Sequence, residues 1–229
     1  MSNTLADRIL GFNSKLEFNG TLPAGVRILN PYRDDPEVMR ISEAFYRKFY
    51  SDNRPRRLIL GINPGRLGAG ATGIPFTDSK RLEDPCGIDP GGLVTHEPSS
   101  VFVYRVIAAM GGPENFFGRF FIQSVCPLGF VRLNAKGNWV NCNYYDFPAL
   151  QEAVTPFILA NLKALSELGM ETVTGIALGK KNGACLREFN RASGTFGGIT
   201  DLDHPRYIAQ YKARQADLFV DKYREILSV

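Results

Sequence analysis

The segment that most constrains the fold is Leu58-Ile59-Leu60-Gly61-Ile62-Asn63-Pro64-Gly65, which runs on through further glycines to Pro75-Phe76. A short apolar stretch that breaks into Gly and Pro is the pattern of a buried strand whose carboxyl end opens into a loop. Strands that are apolar on both faces belong to parallel sheets covered by helices, which restricts the chain to the α/β class. Open α/β sheets bind ligands outside the carboxyl ends of their strands. Asn63 stands at that point. Pro64 biases it toward extended backbone, and glycines at 61, 65, 68, 70 and 73 allow main chain to approach a bound group closely. The loop is therefore read as the active site, shaped to hold something flat and polar.

The rest of the chain alternates strand and helix patterns. Apolar spacing predicts helices over residues 4–16 (Leu5, Ile9, Leu10, Phe12, Leu16) and 35–50 (Val38, Ile41, Phe45, Phe49, Tyr50), the second capped by Asp35 with Pro36 at its first position. Strands are expected at 56–62, 120–125, 171–178 and 198–202. Helices are expected at 100–110, ending at Gly111-Gly112-Pro113, within 144–168, through Phe189, and over 211–227. The connection from Gly65 to Ser99 is too long for a simple loop and is expected to be functional. Together these give a three-layer α/β/α architecture around a central, mostly parallel four-stranded sheet. With 229 residues, 44% of them hydrophobic, one domain over 1–229 is expected, with N-terminal helices in 1–50 and a catalytic core in 56–228.

Composition removes several function classes. No apolar run approaches the roughly 20 residues that span a bilayer, and Met1-Ser2-Asn3-Thr4 lacks the basic and apolar regions of a signal peptide, so a cytosolic protein with no membrane role is expected. Cys86, Cys126, Cys142 and Cys185 form no C-x-x-C pair, which argues for reduced thiols and against a metal site. No cofactor is implied, and the core needs no second subunit, so a monomer is expected. The net charge of +4 permits nucleic-acid binding without demonstrating it. Arg54, Arg56, Arg57, Arg66, Lys180, Lys181, Arg206, Lys212 and Arg214 flank the loops at strand ends. If those loops share one rim, they form a phosphate-tracking surface.

Gly61-Ile62-Asn63-Pro64-Gly65 followed by Thr72-Gly73-Ile74-Pro75-Phe76 resembles the first motif of the uracil-DNA glycosylase superfamily, in its single-strand-selective monofunctional (SMUG-type) branch. His204-Pro205 is similar to the second motif, and Cys126-Pro127-Leu128 and Ile176-Ala177-Leu178-Gly179-Lys180-Lys181 fit in order. The resemblance implies a nucleoid-associated enzyme that hydrolyses the N-glycosidic bond of a deaminated base in DNA. It makes Asn63 the holder of the attacking water, His204 a donor to the O2 oxygen of the departing base, and Phe76 the platform on which the extruded base stacks. Gly61, Ile62 and Gly65 bound the pocket, while Pro64, Arg66, Lys180, Lys181, Arg206 and Tyr207 meet DNA.

Departures from the branch are as informative. Ser124 falls where an Asn usually reads the base edge; a hydroxyl is shorter and offers no fixed donor–acceptor pair, so strict preference for uracil is in doubt and a pocket admitting xanthine becomes plausible. Ala69 replaces a Met. Both point to the second SMUG-type subgroup. After His204-Pro205 the relatives continue Ser-Pro-Arg-Asn, where this chain has Arg206-Tyr207-Ile208; one of these three wedges into the duplex, or Tyr207 and Ile208 pack the last helix. Lys180 and Lys181 form either a phosphate-binding turn or a solvated basic turn. His96, in Thr95-His96-Glu97-Pro98, is read as structural. Two other classes compete: a Rossmann-like nucleotide-binding enzyme, whose G-x-G-x-x-G fingerprint the loop does not meet, and a DNA-binding module without catalysis.

Overall fold

The computed structural model describes residues 3–228; Met1 and Ser2, on which the signal-peptide reading partly rests, lie outside the described residues. In chain order it comprises α1 (Leu5–Ser14), β1 (Val26–Leu29), α2 (Pro31–Asp34), α3 (Pro36–Phe49), β2 (Arg57–Gly61), α4 (Ala69–Thr72), α5 (Ser79–Glu83), α6 (Pro98–Ala109) and α7 (Gly112–Phe117). Then come β3 (Phe120–Ser124), β4 (Gly129–Leu133), β5 (Trp139–Cys142), α8 (Pro148–Glu167), β6 (Glu171–Leu178), α9 (Lys180–Ser193), β7 (Gly198–Leu202), α10 (Pro205–Tyr211) and α11 (Ala216–Ser228).

The four expected strands form one sheet, ordered β3-β2-β6-β7, and every pairing in it is parallel. Its centre is dry: Leu58, Ile59 and Leu60 of β2 are buried, as are Ile176, Ala177 and Leu178 of β6. Helices fall into two packed sets, α8 with α9, and α1, α3 and α7 linked through α6 to α10 and α11. The chain therefore has the three-layer α/β arrangement that its alternating pattern predicts.

Caps explain where helices begin. Asp35 accepts from the Glu37 N–H ahead of Pro36, as the sequence implies, and Thr4 and Asp7 close a reciprocal capping box on α1. α6 stops at Ala109, just ahead of Gly111-Gly112-Pro113 as expected, and Pro113 then stands in the first turn of α7, where proline's missing N–H costs no hydrogen bond. The closing helix is likewise split. Pro205 starts α10 inside the stretch expected to be a loop, a turn of 3₁₀-helix at Ala213–Gln215 follows, and α11 begins only at Ala216.

A second sheet was not anticipated from the sequence. β1, β4 and β5 form a three-stranded antiparallel sheet in which β4 pairs with both neighbours. Its strands are short, and β5 carries polar Asn141 between Val140 and Cys142, so no long period-two pattern betrays it.

Three of the expected rim cations are elsewhere. Arg54, Arg56 and Arg57 precede or open β2, at the amino edge of the parallel sheet and away from Asn63. Arg56 is fully buried, donating from Nε to the Phe117 carbonyl (2.8 Å) and from Nη2 to Asp52 (3.1 Å). Arg57 donates to the Leu227 carbonyl (2.9 Å), and Arg54 pairs with Asp52. These guanidiniums satisfy backbone carbonyls and tie the end of α11 to the sheet.

Candidate active site

All strands of the central sheet point the same way, so the residues after β2, β3 and β7 emerge on one edge. There they wall a cavity of about 580 Å³. It gathers Ile62, Asn63, Pro64, Gly65, Arg66, Phe76, Ser124, His204 and Arg206. The sheet ladder runs past the strand ends, with Val125 N–H donating to Gly61 O (2.9 Å) and Cys126 N–H to Ile62 O (3.1 Å), so the floor is rigid. Gly61 lies behind Phe76: a β-carbon there would stand 3.2 Å from the ring, so glycine lets the ring settle on the strand. Phe76 holds a φ of 54°, the one positive φ outside glycine among the described residues. Backbone strain of that kind persists where surrounding structure enforces it, and here it sits in the cavity wall.

Asn63 is clamped by the second sheet. Its Oδ1 accepts the Tyr144 N–H (3.0 Å), and its Nδ2 donates to Cys142 O (3.2 Å). A backbone donor on one side and a carbonyl on the other leave the amide a single orientation. One lone pair of Oδ1 stays free.

His204 caps α10. Its Nδ1 accepts the Arg206 N–H (3.1 Å), so in the neutral ring the proton resides on Nε2, which remains a donor. Burial, and then the Arg206 charge, push this imidazole down to about 4. The ring lies edge-on to Phe76, centroids 6.1 Å apart. Gly179, at the end of β6, has a φ of 100°, and a β-carbon on it would stand 3.3 Å from that of His204. Gly179→Ala is expected to lose about 1–3 kcal/mol to backbone strain and to displace His204. Thermal melting checks the loss.

The cavity does not reach every residue expected to serve it. Lys180 opens α9 outside the cavity, and Lys181 donates to Tyr145 O (3.2 Å) with its ammonium 4.4 Å from the Tyr145 ring centroid. Tyr207 is 43% exposed on α10, its ring beside that of Tyr211 (5.7 Å). Ile208 is fully buried and cannot wedge into anything, because the helix begun at Pro205 turns it inward.

Other wall residues escaped the sequence reading. Val140 and Asn141 come from the unanticipated sheet, Asn143 from just beyond it, and Glu97 from the long connection. Asn141 Oδ1 accepts the Arg66 N–H (3.1 Å), fixing the glycine loop against β5. The available signal was the turn Asn134-Ala135-Lys136-Gly137 between Phe130-Val131 and Trp139-Val140, a hairpin pattern.

The family model described as Uracil DNA glycosylase superfamily matches residues 47–228. The chain belongs to this superfamily. SMUG2 from Pedobacter heparinus, known from a crystal structure, is 48% identical and superposes with a TM-score of 0.96, covering 99% of this chain and 98% of that one. The single-strand selective monofunctional uracil-DNA glycosylases of Rattus norvegicus and Mus musculus are each 26% identical over 140 residues, 52% of this chain. The match spans about half the length of those curated relatives, 48% in each case. Among the described residues of this superfamily member no helix is long and apolar enough to cross a membrane, and no cluster of three metal-ligating side chains occurs.

Proposed function

We propose that the protein is a monofunctional DNA glycosylase that extrudes a deaminated base and hydrolyses its N-glycosidic bond, acting as a monomer at the nucleoid. One observation carries the reading: a clamped amide, Asn63, and a neutral imidazole, His204, share one cavity walled by an aromatic ring, Phe76. As the bond from C1′ to the base stretches, the sugar gains oxocarbenium character and the base gains negative charge. The His204 Nε2–H supplies a preorganised donor for that charge, and a neutral ring suits the task because it needs no proton transfer. Water attacking so electrophilic a carbon needs placement more than deprotonation, and the free lone pair of Asn63 Oδ1 provides it.

Among the described residues no lysine lines the cavity, which supports hydrolysis over Schiff-base chemistry. Arg66 and Arg206, exposed at its mouth, suit the phosphates beside the extruded nucleotide. Lys180, Lys181 and Tyr207 extend that surface in this reading, and Pro64, buried in the cavity wall, meets the DNA strand only where it enters the cavity. Ser124, with no amide to fix the base edge, supports acceptance of xanthine beside uracil.

The test is a gel. Single- and double-stranded oligonucleotides carrying uracil, xanthine or hypoxanthine are incubated with the protein and treated with alkali. Scission at uracil is expected, and scission at xanthine above that at an undamaged purine. Binding without scission at any base would leave a DNA-binding module, and the absence of both would remove DNA as the ligand.

A further inference from the structure

Two carboxyls lie side by side beneath the glycine loop and share their surroundings unequally. Asp78, fully buried at the start of α5, accepts the Glu97 N–H (3.0 Å), the Ser100 hydroxyl (2.8 Å) and the Arg81 N–H (3.2 Å). Glu97 receives nothing. Its Oε2 is sealed from solvent without a hydrogen-bond partner; the residue as a whole is half-buried and lines the cavity, which leaves Oε1 as the oxygen open to it. An uncompensated buried charge is costly, and a carboxyl so placed neutralises itself by keeping its proton. Burial first, then the Asp78 charge, push it up to about 7, against the opposing pull of Arg206. The chain makes room for this group: a β-carbon at Gly68 would stand 2.3 Å from Oε2. A carboxyl packed against Gly68 with no hydrogen-bond partner of its own in the wall of a cavity points to a partner that arrives with the substrate.

Resting on the glycosylase reading, we propose that Glu97 is a further substrate-contacting residue: as a neutral acid it donates its carboxyl proton to a phosphodiester oxygen beside the extruded nucleotide. Its position near Arg206 favours phosphate over base as the acceptor, because a guanidinium at the cavity mouth marks where the backbone passes. On ionisation the carboxylate repels that phosphate and pairs with Arg206, removing two contacts at once. The charged or titratable groups around it are Asp78 and Arg81 from α5, Arg66 from the glycine loop, Arg206 and His204 from the start of α10, and His96 on its own segment, 3.7 Å from Asp78. His204 titrates near 4, far below the range concerned.

The probe is duplex DNA carrying a tetrahydrofuran abasic analogue, which has phosphates but no base and cannot be excised. Its Kd is measured by fluorescence anisotropy from about pH 6 to about pH 8.5, bracketing the ionisation. The native protein is expected to bind at least about tenfold more weakly at the alkaline end, the loss of one charge-assisted hydrogen bond. Glu97→Gln, which keeps a donor and cannot ionise, is expected to bind equally at both ends. Glu97→Ala is expected to bind weakly throughout, and His96→Gln to follow the native profile. A native profile that is flat, a Glu97→Gln profile that still falls, or a Glu97→Ala variant as tight as the native protein at about pH 6 would each overturn the proposal. A pH effect seen with uracil-containing DNA but absent from the analogue would move the contact to the base and overturn it too. Excision of uracil by the native protein at about pH 6 is scored separately, so loss of the glycosylase reading and loss of this one remain distinguishable.

Discussion

His204→Ala is expected to slow uracil excision by about 10²–10³-fold, the usual cost of removing one preorganised donor to a developing anion. The fold should survive. What α10 loses is a single cap, a matter of about 1 kcal/mol, and Pro205 still sets its first turn. The same variant has a signature in stability against pH. In the unfolded chain this imidazole takes up its proton near 6.5; in the folded protein it does so only near 4. Between those values the unfolded state holds more protons, so native stability declines as pH falls through the window. Removing the ring removes its share of that decline. Excision kinetics with melting curves at several pH values check both effects, and a variant that cuts at the native rate would remove His204 from the reaction.

Asn63→Ala is expected to lower excision by a factor of about 10² or more, comparable to removing a group that acts directly on the reacting water. It also leaves the Tyr144 N–H without its acceptor, at a cost of about 1–3 kcal/mol. Asn63→Asp separates the two roles of the amide. The acceptor for Tyr144 is kept, but the other oxygen then confronts the carbonyl of Cys142, where Nδ2 now donates. A carboxylate against a carbonyl is repelled, so the aspartate retains its proton and its activity declines as pH rises. Faster excision by Asn63→Asp than by the native protein at about pH 8 would contradict this account of the clamp, since a general base gains as it deprotonates.

Much of this was legible in the sequence, for identifiable reasons. The strand-to-glycine transition at residues 58–65 and the isolated His204-Pro205 are strong local signals, because apolar runs and backbone breakers act over a few residues. Asp35-Pro36 and the apolar face of α8 follow from the same short-range physics: of Leu150, Val154, Phe157, Ile158, Leu162 and Leu165, expected on that face, all but the half-buried Phe157 are buried. What escaped depends on contacts distant along the chain. Asn141 shows no site signal in the sequence, and only the pairing of β5 with β4 brings it to the Arg66 N–H. Arg56 reads as a rim cation until three acceptors bury it. Glu97 carries no signal of its own in the sequence; its setting depends on the buried Asp78 beside it, which takes the Glu97 N–H, the Ser100 hydroxyl and the Arg81 N–H.

Asn63 lies just past the last residue of a parallel strand, and the groups that hold its amide lie at the end of the antiparallel sheet, Cys142 O and, 81 positions downstream of Asn63, Tyr144 N–H. Closure of so long a segment is entropically slow compared with helix formation or the pairing of a hairpin. A chain early in refolding can therefore possess its helices while its reactive amide still swings freely, since the β2–β6 pairing of Arg57 with Glu171 closes an even longer segment. Competence in this architecture matures only once both sheets have closed around the glycine loop.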